Sequence, residues 1–436
     1  MSTSDKQCAD DGAVWADLAR ATPTFWINEN TGRGTAEATT LGLGDVHEAA
    51  ARWQRFAPVL AARFGDVVPD GIIESPLLAI PNVTSRWLSR AAPTSARILL
   101  KADHALPIAG SVKARGGIYE VLCVAEKVAL AAGLLTSMED DYRKLITPRG
   151  IELFCRYRLL VASTGNLGYA VGTAARALGF ETIVHMSRDA KEWKKARLRA
   201  LGAQVVEHAA DYTRAVAAAR EDASGSADAH FVDDEQSVDL FLGYSVAALR
   251  LLAQLREQQI EVSSRQPLCV YLPCGVGGAP GGILFGLKAL LGDSVLGFFA
   301  EPTAAPCMLM RLMRRLPASA SVYDIGLDNR TEADGLAVAR ASELVASVVG
   351  DRVTGAYTVS DAEMLQWVGR CHELQGLRLE PSATAGFPGA LRHVWESPKL
   401  GSRRSTIASA THVIWTTGGS QVPEEEFAAL LKRVPR

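Results

Sequence analysis

The chain has 436 residues, with 46 Lys plus Arg against 48 Asp plus Glu, for a formal net charge of −2. No dense basic block is present, and the most basic run, residues 191–199, reads as one helix face, so a nucleic-acid binder that works by displacing counterions is excluded. A hydrophobic content of 48% excludes disorder, and the length predicts two to four structural units with a core that needs no disulfide or metal staple.

Taken in chain order, residues 46–64 carry apolar side chains at helical spacing. Residues 97–101 read as a strand, and a polar loop leads to Ser111, an N-cap type for a helix reaching about residue 132. A regular alternation follows: strand 159–162, helix 166–178 closing at Gly179, strand 182–186, helix 190–201 closing at Gly202, strand 204–208, helix 212–222 and a short strand at Phe231-Val232. Glycine just after each of two helices suits a C-cap. Residues 237–259 predict one long helix. Residues 268–272 and 295–300 read as buried strands, and 411–415 as a last strand before a helix from Glu424. Strand–helix alternation implies parallel sheets with right-handed crossovers. The expected fold is therefore α/β, with parallel-rich open sheets flanked by helices. Two domains are expected: a small one at 155–238, inserted in a large one built from 1–154 and 239–436.

Residues 267–287 hold no charge over 21 residues, long enough for a membrane span. Three prolines and six glycines would break such a helix repeatedly, so the stretch predicts strand, loop and helix. The seven cysteines are odd in number and form no C-x-x-C pair, which argues against a disulfide framework or a structural zinc site. The start of the chain lacks the charged-then-apolar pattern of a signal peptide. A reducing, cytoplasmic setting without membrane or nucleic-acid partners is expected.

Four segments carry chemistry. In Gly110-Ser-Val-Lys-Ala-Arg-Gly-Gly117, Lys113 falls at a helix start, where the partial positive charge of the helix disfavours an ammonium and favours an amine nucleophile; alone, a solvated lysine is the more ordinary reading. Ser163-Thr-Gly-Asn-Leu-Gly168 follows a buried strand, and Ser163, Thr164 and Gly165 place hydroxyls and N–H groups where open α/β sheets bind ligands; a plain N-cap explains it equally well. Cys274-Gly-Val-Gly-Gly-Ala-Pro-Gly-Gly282 has five glycines in eight residues from Gly275, which suits a backbone cradle for a phosphate. Its spacing matches neither a Walker loop nor a dinucleotide fingerprint, which counts against a nucleotide-dependent oxidoreductase. Thr416-Thr-Gly-Gly-Ser420 alone is a weak turn signal.

Together these segments resemble the fold-type II pyridoxal-5′-phosphate enzymes (tryptophan synthase β-like), and within them the D-serine dehydratase, or D-serine ammonia-lyase, branch. The resemblance extends through Gly71-Ile-Ile-Glu-Ser75, His185-Met-Ser187, Trp193-Lys-Lys-Ala196, Phe231-Val-Asp-Asp-Glu235, Leu242-Gly-Tyr-Ser245, Ala300-Glu-Pro-Thr303, Asp334-Gly-Leu-Ala337, Leu379-Glu-Pro-Ser-Ala383 and Val422-Pro-Glu-Glu-Glu426, in the family's order.

The resemblance implies roles position by position. Lys113 would hold the cofactor covalently, Asn166 would meet its ring hydroxyl, and Thr417 its pyridine nitrogen. Gly275, Val276, Gly277, Gly278 and Ala279 would bind the phosphate through backbone N–H groups. Ser163, Thr164 and Gly165 would hold the substrate carboxylate. A hydroxyl rather than a carboxylate at the pyridine nitrogen implies a weaker electron sink, which favours prompt loss of a β-hydroxyl over transamination. The Cα proton would go to Lys113 or to Thr164, which stands where related serine racemases place a serine that serves the D enantiomer.

The implied reaction is β-elimination of D-serine to pyruvate and ammonia by a monomer, with D-threonine a further substrate. The alternatives are an L-serine or L-threonine dehydratase, a serine racemase-like enzyme, or a non-catalytic binder of the cofactor. Where the family's phosphate loop has glycine this chain has Ala279, which would cost about 1 kcal/mol if that backbone needs a positive φ. Glu301 and Cys307 match positions where relatives bind a monovalent cation such as potassium; a structural turn with a buried cysteine is the alternative. His185 and His208 read as structural, Trp193 with Lys194 and Lys195 as a helix face, and His104 has no evident partner.

Overall fold

The structure is a computed structural model that describes residues 3–29, 31, 40–163, 165–209, 212–401 and 403–435. Thr164 lies outside the described residues. Eleven strands run along the described chain: β1 (Phe25–Ile27), β2 (Leu77–Ala79), β3 (Arg97–Lys101), β4 (Arg158–Ala162), β5 (Glu181–Ser187), β6 (Gln204–His208), β7 (Ala229–Val232), β8 (Leu268–Pro273), β9 (Val295–Pro302), β10 (Gly355–Val359) and β11 (Thr411–Trp415). They form two compact units. One takes Met1–Thr40, Pro76–His104 and Ala248–Arg436; the other takes Leu41–Ser75 and Ala105–Ala247.

The first unit is built on a seven-stranded sheet in the order β1-β10-β9-β8-β11-β3-β2. The five inner strands are parallel, and β1 and β2 close the edges antiparallel. All six residues of β8 are buried, as expected of a strand covered on both faces by helices. Because β3, β8, β9 and β11 point the same way, the segments after Lys101, Pro273, Pro302 and Trp415 leave one end of the sheet together. Residues 267–287 are strand, loop and the helix Gly278–Leu291, as the glycines and prolines require.

The second unit holds a parallel four-stranded sheet in the order β6-β5-β4-β7. Its crossovers include the helices Asn166–Leu178, Glu192–Ala200 and Tyr212–Ser224. Since β4 and β7 are neighbours, the segments beginning at Ser163 and Asp233 leave the same sheet end.

The division of the chain differs from the one read in the sequence. Residues 155–238 fall wholly in the second unit, but that unit also takes 41–75 and 105–154, and so contains Lys113. The helix Leu43–Phe64 reaches Tyr119–Ala131 through Arg52 and Arg55, whose guanidinium groups pair with the buried Glu126 at 2.7 and 2.9 Å. Two further readings change. The helix expected from Ser111 opens with a π-turn, Ala114–Ile118, before α geometry sets in at Tyr119. Ser111 Oγ makes no capping bond; its carbonyl accepts the N–H of Ala114 instead. The expected helix over 237–259 is two, Val238–Ser245 and Ala247–Glu257.

Candidate active site

In the second unit, Lys113 sits immediately before the π-turn, a helical irregularity frequent at functional sites. Glycines make the turn possible at this packing. A Cβ on Gly116 would lie 2.4 Å from the Tyr244 ring, and one on Gly243 would lie 2.7 Å from the carbonyl of Arg115. The Arg115 side chain is buried and forms a fork with Glu74, at 2.5 and 3.2 Å, which gives the Gly71–Ser75 segment a place in the site. Lys113 Nζ donates to Asp234 Oδ2 at 2.7 Å. The side chains are 19% and 9% exposed, so the pair is largely shielded from water. Asp234 was not singled out in the sequence, where the helix terminus alone bore on Lys113; its carboxylate compensates the ammonium charge that the terminus disfavours.

At the neighbouring strand end, Ser163 Oγ accepts the N–H groups of Gly165 and Gly168, each at 2.9 Å. Asn166 opens the helix Asn166–Leu178 after Gly165, whose φ is 138°. A Cβ on Gly165 would lie 2.5 Å from Lys194 Cδ, so the buried Lys194 stem backs this loop rather than simply lining a helix face. Lys195 is buried too and pairs with Glu207 at 2.7 Å. His185 stacks on His208, with Nδ1 and Nε2 3.0 Å apart.

In the first unit, the glycine-rich loop joins β8 to the helix Gly278–Leu291. Its carbonyls turn to the protein: Cys307 Sγ lies 3.4 Å from that of Gly275, Ser342 N–H donates to that of Val276, and Gly281 N–H to that of Gly277. The N–H groups that open the helix have no intrahelical partner and carry its partial positive charge. The positive φ falls on Gly277, at 112°, while Ala279 is the second residue of the helix. The alanine therefore carries no penalty from a left-handed backbone.

Next to this loop in the sheet order, Thr416 is tied down. Its N–H and Oγ1 donate to the carbonyl of Lys101, and His104 Nδ1 faces Oγ1 at 2.8 Å. His104 thus has a partner that the sequence did not reveal, and burial pushes it down to about 4. Trp415 Nε1 donates to Asp103 Oδ2 at 2.7 Å. Thr417 Oγ1 is buried and finds no partner among the described residues. The turn after it presses on the chain at Leu379 and Glu380, where Glu380 N–H donates to the carbonyl of Gly418. Gly419 has φ 136°, and a Cβ there would lie 2.5 Å from both Leu379 Cα and Glu380 N. Gly419→Ala is expected to cost about 2–5 kcal/mol, from backbone strain plus overpacking. Urea unfolding of the cofactor-free protein measures that loss, and weaker cofactor retention should accompany it.

Glu301 follows β9's central residues and is fully buried. Its oxygens accept the N–H groups of Met308 and Leu309, each at 2.8 Å, and burial pushes its carboxyl up to about 8. Among the described residues no group of three or more His, Cys, Asp or Glu side chains is arranged to hold a metal ion.

The family described as pyridoxal-phosphate dependent enzyme matches residues 68–407. The chain belongs to this family. It is 49% identical over 418 residues to a protein of Chromobacterium violaceum described as "Probable D-serine dehydratase", covering 94% of this chain and 93% of that one. It is 48% identical over 424 residues to the D-serine dehydratase of Escherichia coli O157:H7, covering 96% of each. Among solved structures, the diaminopropionate ammonia lyase of Escherichia coli superposes with a TM-score of 0.71 at 17% identity, covering 94% of this chain and 97% of that one. The serine racemase of maize superposes with a TM-score of 0.63 at 19% identity, covering 90% of this chain and 98% of that one. These two likenesses confirm the fold-type II architecture.

The residues present fit pyridoxal phosphate. A glycine loop with its carbonyls turned away suits the phosphate, the unpartnered Thr417 hydroxyl suits the ring nitrogen, and the Lys113 amine suits the aldehyde.

Proposed function

We propose that this chain is a pyridoxal-phosphate dependent ammonia-lyase that converts D-serine to pyruvate and ammonia, and that D-threonine enters by the same chemistry. The observation that carries the reading is Lys113: one amine, held by one carboxylate at 2.7 Å, at the head of a π-turn in a chain of this family. The 48–49% identity to D-serine dehydratases over nearly the full length supports the choice of substrate.

When bound, the cofactor supplies an electron sink conjugated to the substrate Cα. The chain supplies the rest. Lys113, Asn166, Thr417 and the N–H groups of Gly275, Val276, Gly277, Gly278 and Ala279 hold the cofactor. Ser163 Oγ accepts from Gly165 and Gly168 with both lone pairs, so what it still offers is its O–H, the donor a substrate carboxylate needs. Gly165 N–H is engaged by Ser163, so the Ser163 hydroxyl is the donor this loop offers the carboxylate, with Thr164 assigned beside it from the resemblance. Lys113 Nζ takes the Cα proton, and Asp234 Oδ2 orients that amine. Thr164, the second candidate for the proton, lies outside the described residues.

Pyruvate release from D-serine and L-serine, measured side by side on the purified yellow protein, tests the reading. Faster release from L-serine points to the L-serine or L-threonine dehydratase alternative. A yellow protein that releases no 2-oxo acid, pyruvate from serine or 2-oxobutanoate from threonine, is a cofactor carrier.

The proposal includes a cytoplasmic monomer, with a monovalent cation at Glu301 and Cys307. Each Glu301 oxygen gives one lone pair to an N–H; a hard cation, which prefers such oxygens to the thiol, would displace the proton that burial favours and take the lone pairs that remain. Pyruvate release should then be faster in potassium than in sodium. Equal rates in both, and after chelator treatment, remove the cation from the scheme.

A further inference from the structure

Glu120 lies seven residues after Lys113, on the helix Tyr119–Ala131 into which the π-turn opens. It is 1% exposed, and its oxygens face two different segments. Oε1 accepts His230 Nε2 at 2.8 Å, and Oε2 accepts Ser237 Oγ at 2.8 Å. His230 belongs to β7, just before the loop that carries Asp234, and Ser237 closes that loop as the N-cap of Val238–Ser245. The loop's internal bonds, from the N–H groups of Glu235, Gln236 and Ser237 to Asp233, make it compact, and Arg220 pairs with Asp233 at 2.7 Å. Those bonds tie the loop to itself and to the helix Tyr212–Ser224, not to the element that bears Lys113. Glu120 ties it there, at both flanks.

A carboxylate buried this deeply is destabilising by itself. Burial pushes it upward from the ordinary carboxylate range against the pull of His230 and Ser237, and an apolar side chain of similar volume would stabilise such a site at least as well. What the carboxylate holds in register explains its presence.

We propose that Glu120 is a positioning residue: it grips both ends of the 233–237 loop and thereby sets the Asp234 carboxylate on Lys113 Nζ. The proposal rests on the reading of Lys113 as the residue that bears the cofactor. Three holoenzyme variants test it. His230→Leu removes one grip at a position whose side chain is 40% exposed and so tolerates the change. Glu120→Gln removes the charge while keeping the shape, and His230→Gln restores a donor to Oε1.

His230→Leu and Glu120→Gln should keep the yellow absorbance and the cofactor affinity. Their kcat on D-serine should fall about 10-fold or more, as expected for a sub-ångström misplacement at a reacting group, while KM stays nearly constant. Amide hydrogen exchange should quicken at 233–237 and not across the rest of the unit, and His230→Gln should recover most of kcat. Wild-type kcat with unchanged exchange at 233–237 overturns the proposal. So does exchange that quickens throughout the unit together with a lowered melting temperature, because Glu120 is then only structural. If the wild-type protein releases no pyruvate, the functional reading fails by itself, and the exchange pattern at 233–237 still decides the role of Glu120.

Discussion

Lys113→Ala should give a colourless protein that releases no pyruvate, a loss of at least about 10³-fold. Two effects combine. The amine that would hold the cofactor is gone, and so is the amine that would take the Cα proton. The substitution also strands Asp234, whose side chain is only 9% exposed, next to the space the ammonium filled; an uncompensated carboxylate there lowers stability. Absorbance of the purified protein and a pyruvate assay settle the first two points, and urea unfolding the third. Asp234→Asn separates orientation from charge, since the amide oxygen can still accept from Lys113. It should stay yellow and turn over about 10–10²-fold more slowly. Thr164→Val addresses the identity of the base. If it exchanges the α-proton of D-serine rapidly and eliminates at the wild-type rate, Thr164 is not the base. Full activity in Lys113→Ala would overturn the whole scheme.

Segments whose chemistry is contiguous were legible in the sequence. Strand, polar turn and helix follow one another at Ser163–Gly168 and again at Cys274–Gly282, so period and turn chemistry locate both loops. Partners far apart in the chain were not. Asp234 is 121 residues from Lys113, and Thr416 is 312 from His104. No local signal joins such pairs; the neighbouring ends of the parallel strands β3 and β11 join His104 to Thr416, and the loop after β7 brings Asp234 to the head of the π-turn.

The π-turn escaped because five residues are too few to separate its period from that of an α-helix. The split at Val246 escaped because the apolar spacing runs through it. β10, Gly355–Val359, is as long as β3 and β11 but escaped because its glycine and threonine break the apolar run that marks those two. The compact units differ from the division read in the sequence for the same reason as the missed partners. Arg52 and Arg55 bind Glu126 from 74 and 71 residues away, and a division into contiguous blocks cannot register that.

The first unit should unfold steeply as pH falls from about 6.5 to about 4. Burial pushes His104, His393 and His412 each down to about 4, from an ordinary value of 6.5. Folded, they stay neutral in this window; unfolded, they bind protons. The unfolded state therefore takes up more protons between 6.5 and 4, and stability is lost as pH falls through that range. The gap between the two values is worth about 3 kcal/mol per histidine. Glu301 in the same unit, pushed up to about 8, is protonated when folded and ionised when unfolded, and it offsets about one histidine down to its ordinary value of 4.5. The net loss is on the order of 7 kcal/mol, still comparable to the whole stability of a typical domain.

The geometry shows why each ring resists protonation. His412 accepts the Tyr271 hydroxyl at Nδ1 and gives Nε2–H to the carbonyl of Ile407, so the neutral form satisfies both nitrogens. His104 faces the Thr416 hydroxyl. His393 stacks on Phe25 beside Arg392, and its buried Nε2 has no partner among the described residues. In the second unit Glu126 adds acid sensitivity at lower pH, below its ordinary value of 4.5. Although buried, it is held below the usual carboxylate range by Tyr142, Arg52 and Arg55, and that support disappears once it is protonated. Urea midpoints measured from pH 7.5 to 4.5 test the argument. His393→Phe keeps the stack and removes one titrating group without costing a hydrogen bond, so it should flatten the acid limb by about 1.4 kcal/mol per pH unit. A midpoint that holds steady between pH 7 and 5 would show that these rings are protonated in the folded protein.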